Sequence, residues 1–321
     1  MNVIIRVDAS VQIGSGHVVR CLTIAKKLHE TGCHVQFWME PLEGNLIELV
    51  AREGFSNITS AKQADLYIID HYQLDKEWEQ SIRIYTKKIA VIDDLAREHD
   101  CDLLLDQNAV SNFETRYDGK VPEYCIKLLG PKYLIMRDEF IKERKKLRKR
   151  DDKVGRLLVF MGGTDPTNET MKVLLALEGY TFEHVDIVVG NGNPQKKKIE
   201  ESCKQRGYHY HCQIGYMAKL MQQADFAIGT GGSSMWERCY VGLPSSATIV
   251  ADNQSSTTIY AEQLGVVKNL GWHEQVTTET YKELLVNLSI MRMSERGLQL
   301  TANDKVDVWL HEFLHLNKRI D

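Results

Sequence analysis

A histidine follows a glycine turn near the start of the chain, where a strand-like segment gives way to a helix. The segment "QIGSGHVVRC" begins at Gln12 and places His17 directly after the second glycine. The first turn of a helix attracts anions, and an imidazole held there can present a proton-accepting nitrogen to a substrate. The placement is compatible with a general base. The alternative is a histidine that only completes the turn.

Three glycine-rich turns stand between a strand and a helix, where backbone N–H groups can approach a phosphate. They occupy 13–17, 160–168 and 228–237. None has the spacing of a P-loop or of a complete dinucleotide-binding fingerprint, which disfavours ATP hydrolysis and dinucleotide redox chemistry. Each turn can also be a tight connection without a ligand. The candidate ligands of a phosphate-bearing substrate in the first two turns are Gly14, Gly16, Gly162 and Gly163.

The third turn, "IGTGGSSMWERC", carries groups suited to a nucleotide. Ser233 and Ser234 follow the glycines and are good N-cap residues. Glu237 lies within the first turn or so of the following helix, where its two oxygens could bind a sugar diol. The structural alternative for Glu237 is stabilisation of the helix N-terminus by its negative charge.

Short β-branched segments alternate with segments of helical period, an order typical of parallel sheets wrapped by helices. In the helix predicted after His17, apolar residues recur at steps of three and four from Val18 to Leu28, and we expect Gly32 to end it. The sequence therefore predicts two doubly wound α/β domains. Ligands of such sheets bind beyond the carboxyl ends of the strands, so we expect a cleft between the two domains.

A basic segment interrupts this alternation and suggests the domain boundary. Residues 142–153 carry eight basic and three acidic side chains. We place an N-terminal domain at 1–141 and a C-terminal domain at 154–321, which includes the last helices unless these cross back to the first domain. The segment itself is expected to be a solvated linker, and contact with an anionic membrane surface is the alternative.

Composition narrows the classes of partner. The formal net charge is −4, without the basic stripe that a nucleic-acid partner would require. Neither a signal peptide nor a membrane-length apolar run is visible, so we expect a cytoplasmic protein. Seven cysteines without a Cys-x-x-Cys pair predict buried free thiols. His209, His211 and Cys212 could form part of a zinc site, but no further ligand stands at a fixed spacing, so strand residues without metal are favoured.

Many motifs together resemble one protein family. The chain is similar to the UDP-sugar hydrolases of pseudaminic acid biosynthesis, relatives of the MurG-like glycosyltransferases. More distant spore-coat polysaccharide proteins share the glycine turns, but the "DHY", "WERC" and "DNQ" stretches point to the hydrolases. The resemblance implies a GT-B fold of two Rossmann-like domains. The matching segments are "RVDASVQIGSGHVVRCLTIAKKL", "IIDHYQLD", "VIDDLA", "LLLDQN", "LLGPKYLIMRDEF", "FMGGTDPTN", "MAKLMQQADFAIGTGGSSMWERCYVGLPS" and "ADNQ".

The resemblance also implies a reaction. UDP-2,4-diacetamido-2,4,6-trideoxy-β-L-altrose, or a close relative, would be cleaved by water into UDP and the free sugar, with inversion at the anomeric carbon. UDP is a good leaving group, so the task is to activate one water and to stabilise the departing diphosphate. No cofactor and no metal are implied. The sugar would enter pseudaminic acid biosynthesis. This pathway would serve either flagellin glycosylation or a cell-surface polysaccharide of the spore coat or capsule.

The family resemblance assigns roles to residues around the reacting sugar. His17 would be the general base that accepts a proton from the attacking water. Tyr72 and Asn253 would lie near the sugar and orient it and the water. Gln254, which follows Asn253 in "ADNQ", is a further candidate substrate ligand.

The same resemblance places the leaving group in the second domain. Backbone N–H groups of Gly232, Ser233 and Ser234 would bind the diphosphate, and Glu237 would bind the ribose. The glycines of the second turn are secondary candidates. Asp165, close behind them, is expected to cap the next helix.

Several polar residues at the predicted strand ends have two interpretations. Arg6 and Asp8 on the first strand form either a buried pair or a sugar contact. Asp70 and His71 either support the site or cap the following turn. The two carboxylates of "VIDDLA" alternate faces at a strand end and form a poor acid/base dyad by themselves.

Two other function classes use the same residues. A GT-B glycosyltransferase would have the same UDP site and would replace water by an acceptor hydroxyl. A noncatalytic nucleotide-sugar-binding protein would bind the UDP-sugar without turnover. A glycosyltransferase would release UDP only when an acceptor is present, unlike a hydrolase. A noncatalytic protein would still bind the UDP-sugar after loss of His17 and would show no turnover with or without this residue.

Overall fold

The first part of the chain alternates strands with helices. A computed structural model describes residues 1–150, 153–287, 291–302 and 307–316. The strands form one parallel sheet in the chain order 3-2-1-4-5-6-7. They are β1 (Asn2–Val7), β2 (His34–Trp38), β3 (Ser56–Ile58), β4 (Ala64–Asp70), β5 (Thr86–Ile92), β6 (Leu103–Asp106) and β7 (Ile126–Leu129). The helices are α1 (Gly16–Glu30), α2 (Ile47–Arg52) and α3 (Lys76–Ile82), with 3-10 turns at Arg83–Tyr85 and Pro131–Tyr133.

A second parallel sheet follows, with the strand order 10-9-8-11-12-13. Its strands are β8 (Arg156–Phe160), β9 (His184–Val189), β10 (His209–Cys212), β11 (Phe226–Thr230), β12 (Ser245–Ile249) and β13 (Lys268–Trp272). The helices of this part are α4 (Asp138–Arg144), α5 (Glu169–Ala176), α6 (Lys196–Arg206), α7 (Met217–Gln223), α8 (Ser233–Tyr240), α9 (Ser255–Gln263), α10 (Thr278–Val286) and α11 (Met291–Leu300). A 3-10 turn covers Asp252–Gln254, and α12 (Val308–His315) comes last. The predicted pair of doubly wound parallel sheets is confirmed.

The strand order reverses once in each sheet. In the first sheet the reversal falls between β1 and β4, and in the second it falls between β8 and β11. Helices leave toward opposite faces at such a point, which opens a crevice at the carboxyl ends of the two strands. The glycine turns at 13–17, 160–168 and 228–237 follow β1, β8 and β11, so all three lie at a reversal point.

The division of the chain into units differs from the predicted boundaries. One unit contains Met1–Ile135 together with α12, and the other contains Met136–Ala302. Helix α4, predicted to precede the boundary, packs on α7 and α8 of the second unit. Trp309 and Phe313 of α12 are fully buried in the core of the first unit. The last helix therefore crosses back, because its apolar face completes the core beside α1.

The basic segment differs from the solvated linker that we expected. Its lysines at 142, 145, 146 and 149 are exposed, but its arginines are bound to the second unit. Arg150 is 5% exposed and donates to the carbonyls of Met221 and Ala224 at the end of α7, at 3.1 and 3.0 Å. Arg148 donates to the same carbonyl of Ala224 and pairs with Asp225. A guanidinium carries five N–H donors in a planar fork, so one side chain satisfies several terminal carbonyls of a helix at once.

Helix α1 forms as its sequence pattern predicts. Val18, Leu22, Ala25 and Leu28 are buried in the core of the first unit, and each fully buried Leu or Ile contributes roughly 1.5–3 kcal/mol. The helix ends at Glu30, and Gly32 follows with φ of +86° and a hydrogen bond to the carbonyl of His29. The prediction that Gly32 ends the helix is confirmed. At the other end Ser15 makes no side-chain cap, so the first N–H groups have no side-chain acceptor from that residue.

All seven cysteines are free thiols, as predicted; six of them are buried, and Cys212 is half-buried. Within the described residues, no helix combines the length and the apolar content that a bilayer crossing requires.

Truncation of Phe313 tests the contribution of α12 to the first unit. Phe313→Ala leaves a cavity in a fully buried position and should lower the free energy of unfolding by about 3–5 kcal/mol. Urea unfolding followed by circular dichroism measures it. His311→Ala, on the exposed side of the same helix, should change stability by less than about 0.5 kcal/mol. Equal, small effects of both variants would contradict this packing.

Candidate active site

His17 and Asp70 meet at the reversal point of the first sheet. His17 is the second residue of α1, and Asp70 is the last residue of β4. The Nδ1 atom of His17 lies 2.6 Å from Oδ1 of Asp70. A carboxylate can only accept, so this contact places the proton of the neutral imidazole on Nδ1 and leaves the lone pair on Nε2. None of the described residues hydrogen-bonds Nε2, which is the arrangement of a general base.

Arg20 maintains the charge of Asp70. It lies one helical turn after His17 and donates to both oxygens of Asp70, from Nε at 2.8 Å and from Nη2 at 2.7 Å. Asp70 is 1% exposed, and its burial opposes ionisation. Arg20 and His17 more than offset that cost and hold the pKa of Asp70 well below its ordinary value. Asp70 therefore stays ionised and keeps His17 in one tautomer.

Tyr72 and Asp94 continue the site beside His17. The ring of Tyr72 contacts the ring of His17 edge-on, with centroids 4.6 Å apart. Its hydroxyl donates to Oδ2 of Asp94 at 3.2 Å. Arg97 donates to the backbone carbonyls of Tyr72 and Leu74, at 2.8 and 2.9 Å, and so holds the loop that carries Tyr72.

Asp94 differs from Asp70 in its surroundings. Burial raises its pKa, and the nearby charges of Arg20 and His17 offset this only in part. Its Oδ1 atom is buried and receives no hydrogen bond from the described residues. Asp106, which ends the next strand, is 1% exposed, and burial raises its pKa to about 7 against the opposing effect of Arg116. This edge of the sheet thus carries carboxylates with very different proton affinities.

Arg6 and Asp8 form a buried pair. Two guanidinium nitrogens of Arg6 donate to the two oxygens of Asp8 at 2.7 and 2.9 Å, and both residues are buried. The Nδ1 atom of His71 accepts from the N–H of Gln73, so its Nε2 carries the proton and donates to Asp8 at 2.9 Å. The polar atoms of Arg6 and Asp8 therefore bind each other and His71, as the buried-pair interpretation predicts.

The first glycine turn is closed by its own backbone. The N–H of Gly14 donates to the carbonyl of Ser10 at 2.8 Å, and the Ser10 hydroxyl accepts from the N–H of Ile13. Gly14 has φ of +80°, a conformation that favours glycine. Gly16 is the first residue of α1. The backbone conformation of the turn therefore explains the glycine at position 14, whereas the glycine at position 16 begins α1.

The third turn presents the N-terminus of α8. Gly232 is its N-cap and has no side chain to satisfy the N–H groups of Ser233 and Ser234. A Cβ on Gly231 would lie 2.0 Å from Oγ1 of Thr258, so α9 packs directly against the turn. Gln254 accepts from the N–H of Val250, and its Nε2 atom lies toward Gly232. Asn253 stands in the same 3-10 turn. These residues gather around one helix start that is suited to an anion.

Glu237 has one oxygen engaged. Arg137 donates to its Oε1 atom from Nη2 at 2.9 Å and from Nε at 3.2 Å. Arg137 also pairs with Glu139, whose Oε2 accepts from the N–H of Ala218 at the start of α7. The sequence predicts a diol ligand that uses both oxygens of Glu237, whereas the structure directs Oε1 to Arg137. None of the described residues hydrogen-bonds Oε2.

The second glycine turn is shaped mainly by packing. A Cβ on Gly190 would lie 2.2 Å from the carbonyl oxygen of Gly163, so the two backbones are in direct contact. Gly162 has φ of +90°. Asp165 accepts from the N–H groups of Glu169 and Thr170 at 2.8 and 3.0 Å, which confirms the predicted cap of α5.

The histidines of β10 have partners other than a metal. His211 Nε2 and His184 Nε2 both lie near Oδ1 of Asp186, at 2.9 and 3.0 Å. The ring of His209 stacks on that of His184 with centroids 4.0 Å apart. Within the described residues, no group of three or more His, Cys, Asp or Glu side chains could hold a metal ion.

Comparison with known proteins identifies the family. A UDP-2,4-diacetamido-2,4,6-trideoxy-β-L-altropyranose hydrolase of Campylobacter jejuni is 30% identical over 277 residues, which is 83% of this chain and 97% of that protein. The chain belongs to this family of UDP-sugar hydrolases. The chain is also similar to the spore coat polysaccharide biosynthesis protein SpsG of Bacillus subtilis, 27% identical over 302 residues, 87% of this chain and 86% of that protein. No protein-family model matches the chain.

Solved structures agree on the fold of this hydrolase. MurG of Acinetobacter baumannii superposes with a TM-score of 0.68 at 14% identity, covering 99% of both chains. LpCGTa, solved in complex with UDP, superposes with a TM-score of 0.65 at 11% identity and the same coverage. The chain therefore has the GT-B fold, as predicted.

Sequence reasoning missed several residues of the site. Arg20 stands three residues after His17, on the same face of α1, and this spacing was the available signal. Asp93 and Asp94 alternate faces at a strand end, which predicts only that the pair is a poor acid/base dyad and gives no signal for the contact of Asp94 with Tyr72. Arg137 reaches Glu237 across one hundred positions of the chain, and nothing local signals that contact.

Removal of the Asp70 charge tests the orientation of His17. Asp70→Asn should lower kcat for UDP release about 10²–10⁴-fold, because the carboxylate that holds the Nδ1 proton and stabilises the imidazolium is lost. The comparison is with Asp65→Asn, an exposed position at the other end of β4, which should leave kcat within about twofold. Equal kcat values for the two variants would contradict the role of Asp70.

Asp106 should make stability depend on pH. Between about pH 4 and 7 the folded protein keeps the Asp106 proton that the unfolded chain releases, so the free energy of unfolding falls as pH rises through this window. Asp106→Asn should reduce the difference in urea stability between pH 5 and pH 8 by roughly 1–3 kcal/mol. An unchanged difference would show that Asp106 is ionised in the folded protein at pH 5.

Proposed function

We propose that this protein hydrolyses UDP-2,4-diacetamido-2,4,6-trideoxy-β-L-altropyranose, or a close UDP-sugar, to UDP and the free sugar in pseudaminic acid biosynthesis. The observation that carries the proposal is the His17–Asp70–Arg20 arrangement at the reversal point of the first sheet. The family relation supplies the substrate class, because the Campylobacter relative is named for this substrate. The cytoplasmic location stays a prediction.

His17 activates the water in this proposal. The water oxygen attacks the anomeric carbon while the bond to the UDP oxygen breaks, and the water proton passes to Nε2 of His17. Asp70 then faces an imidazolium, whose charge it stabilises through Nδ1 at 2.6 Å. Attack from the side opposite UDP inverts the anomeric configuration.

The second unit binds the leaving group in this proposal. The N–H groups of Ser233 and Ser234 at the start of α8 receive the diphosphate, with Gly232 allowing close approach of its oxygens. Oε2 of Glu237 binds a ribose hydroxyl, while Arg137 fixes the carboxylate through Oε1. Two observations support this assignment. The start of α8 has no side-chain cap, and Arg137 hydrogen-bonds only the Oε1 atom of Glu237.

Sugar contacts complete the assignment. The hydroxyl of Tyr72 donates to Asp94 and so presents its oxygen as an acceptor toward the water or the sugar. Asn253 and Gln254 stand beside the α8 turn and are proposed to contact the sugar or the phosphate nearest to it. Arg6 and Asp8 are left out, because protein groups occupy their polar atoms.

The decisive experiment measures UDP release from the diacetamido-trideoxy-altrose nucleotide in EDTA. The native protein should turn over without an acceptor, and His17→Ala should lower kcat about 10²–10⁴-fold. His29→Ala, an exposed histidine on the same helix, is the matched control and should keep kcat. NMR of the first product should show the inverted anomer.

Other outcomes point to the alternative classes. UDP release only with an added sugar or lipid acceptor would make the protein a transferase. Binding of the UDP-sugar without release in any variant would make it a nucleotide-sugar-binding protein. Equal rates for UDP-GlcNAc and the altrose nucleotide would contradict the proposed substrate.

A further inference from the structure

Arg238 is a buried cation beneath the third glycine turn. It belongs to α8 and is 1% exposed. Burial of a guanidinium is costly unless an anion or several acceptors compensate for the lost water. Here burial lowers the pKa of Arg238 to about 10, so the side chain is charged at neutral pH. Other buried arginines of this protein are compensated by a carboxylate, as Arg6 is by Asp8, or by the terminal carbonyls of a helix, as Arg150 is.

The acceptors of Arg238 are all neutral. Its Nε donates to Oγ of Ser245 at 2.9 Å, its Nη1 to Oγ of Ser234 at 3.2 Å and its Nη2 to the carbonyl of Thr230 at 2.8 Å. Among the described residues no carboxylate forms an ion pair with it. By contrast, Arg6 pairs with Asp8 and Arg20 pairs with Asp70.

The position of the charge is also unusual for a helix. The guanidinium reaches back to Ser234 and Thr230, at the N-terminal end of α8, where the helix dipole is positive and disfavours a cation. Arg150 is also buried without a carboxylate partner among the described residues, but it lies at a helix C-terminus. It binds the terminal carbonyls of α7, which stabilise a cation.

The surrounding residues make room for this guanidinium. A Cβ on Gly229 would lie 2.6 Å from Nη1 of Arg238 and 3.0 Å from the carbonyl oxygen of Phe160. The absence of a side chain at Gly229 in β11 therefore leaves the space that the guanidinium occupies. Because Ser234 accepts from Arg238, its own hydroxyl proton is available to a further acceptor at the helix start.

We propose that Arg238 is the built-in counter-charge for the diphosphate bound at the start of α8, acting from beneath the turn and through the Ser234 hydroxyl. This rests on the proposed function, in which that helix start binds UDP. Arg238 is a positioning residue and does not touch the substrate. The negative charge on UDP grows as its bond to the sugar breaks, so the buried cation stabilises the departing product more than the bound substrate.

Comparison of UDP with uridine on the full chain tests the proposal. Arg238→Gln removes the charge and keeps polar contacts, and it should lower the affinity for UDP about 10- to 100-fold while the affinity for uridine changes less than about threefold. Arg238→Lys keeps the charge and should lose less than about tenfold. Calorimetry measures UDP, and ligand-observed NMR measures uridine.

Arg150→Gln is the matched control, since it removes a buried cation of the same unit that lies away from the turn. It should leave the ratio of UDP to uridine affinity unchanged. A ratio that is also unchanged in folded Arg238→Gln would overturn the counter-charge. If Arg238→Gln does not fold, Ser234→Ala decides: the proposal requires weaker UDP binding with uridine unaffected, and equal UDP binding overturns it.

The two proposals fail in different ways. A native protein that does not bind UDP would overturn both the proposed function and the role of Arg238. A native protein that releases UDP from the sugar nucleotide, but whose Arg238→Gln variant keeps the native affinity ratio, would overturn only the role of Arg238.

Discussion

Parallel strands bring their carboxyl ends to one edge of a sheet, and this constraint positions the candidate groups within each of the two units. In the first sheet β1 leads into the turn before His17, while the neighbouring β4 ends at Asp70. In the second sheet β8 and β11 are neighbours, so the second and third glycine turns start side by side. The reversal of strand order at these pairs leaves space for a ligand that a regular loop would fill.

Buried charge is handled differently in the two units. In the first, carboxylates have cationic partners: Arg20 holds Asp70, and Arg6 holds Asp8. Such pairs add little net stability, since both charges lose their hydration, but they fix geometry. Here the geometry that matters is the Nδ1 contact of His17, which determines where the lone pair of the imidazole points. In the second unit none of the described carboxylates forms an ion pair with Arg238, whose acceptors are Ser245, Ser234 and Thr230. In our proposal the anion bound at the start of α8 compensates for this charge.

The GT-B fold does not by itself distinguish a hydrolase from a transferase. MurG and LpCGTa share the fold with this chain at 14% and 11% identity, and fold alone does not assign chemistry. A leaving-group site at the start of α8 would serve either reaction. In the proposed reaction, the choice between water and an acceptor hydroxyl is made beside His17, where the ring of Tyr72 contacts the imidazole and its hydroxyl donates to Asp94.

The sequence by itself determined the α/β class, the extent of α1 with its stop at Gly32, and the places of His17 and the glycine turns, because periodicity and turn chemistry act within a few residues of the chain. Only the tertiary structure decided the partners. Asp70 stands fifty-three positions from His17 and Glu237 one hundred from Arg137, so strand order and helix packing bring them together. The tertiary structure also decided that α12 returns to the first unit, because the sequence of an apolar helix face does not specify the core on which it packs.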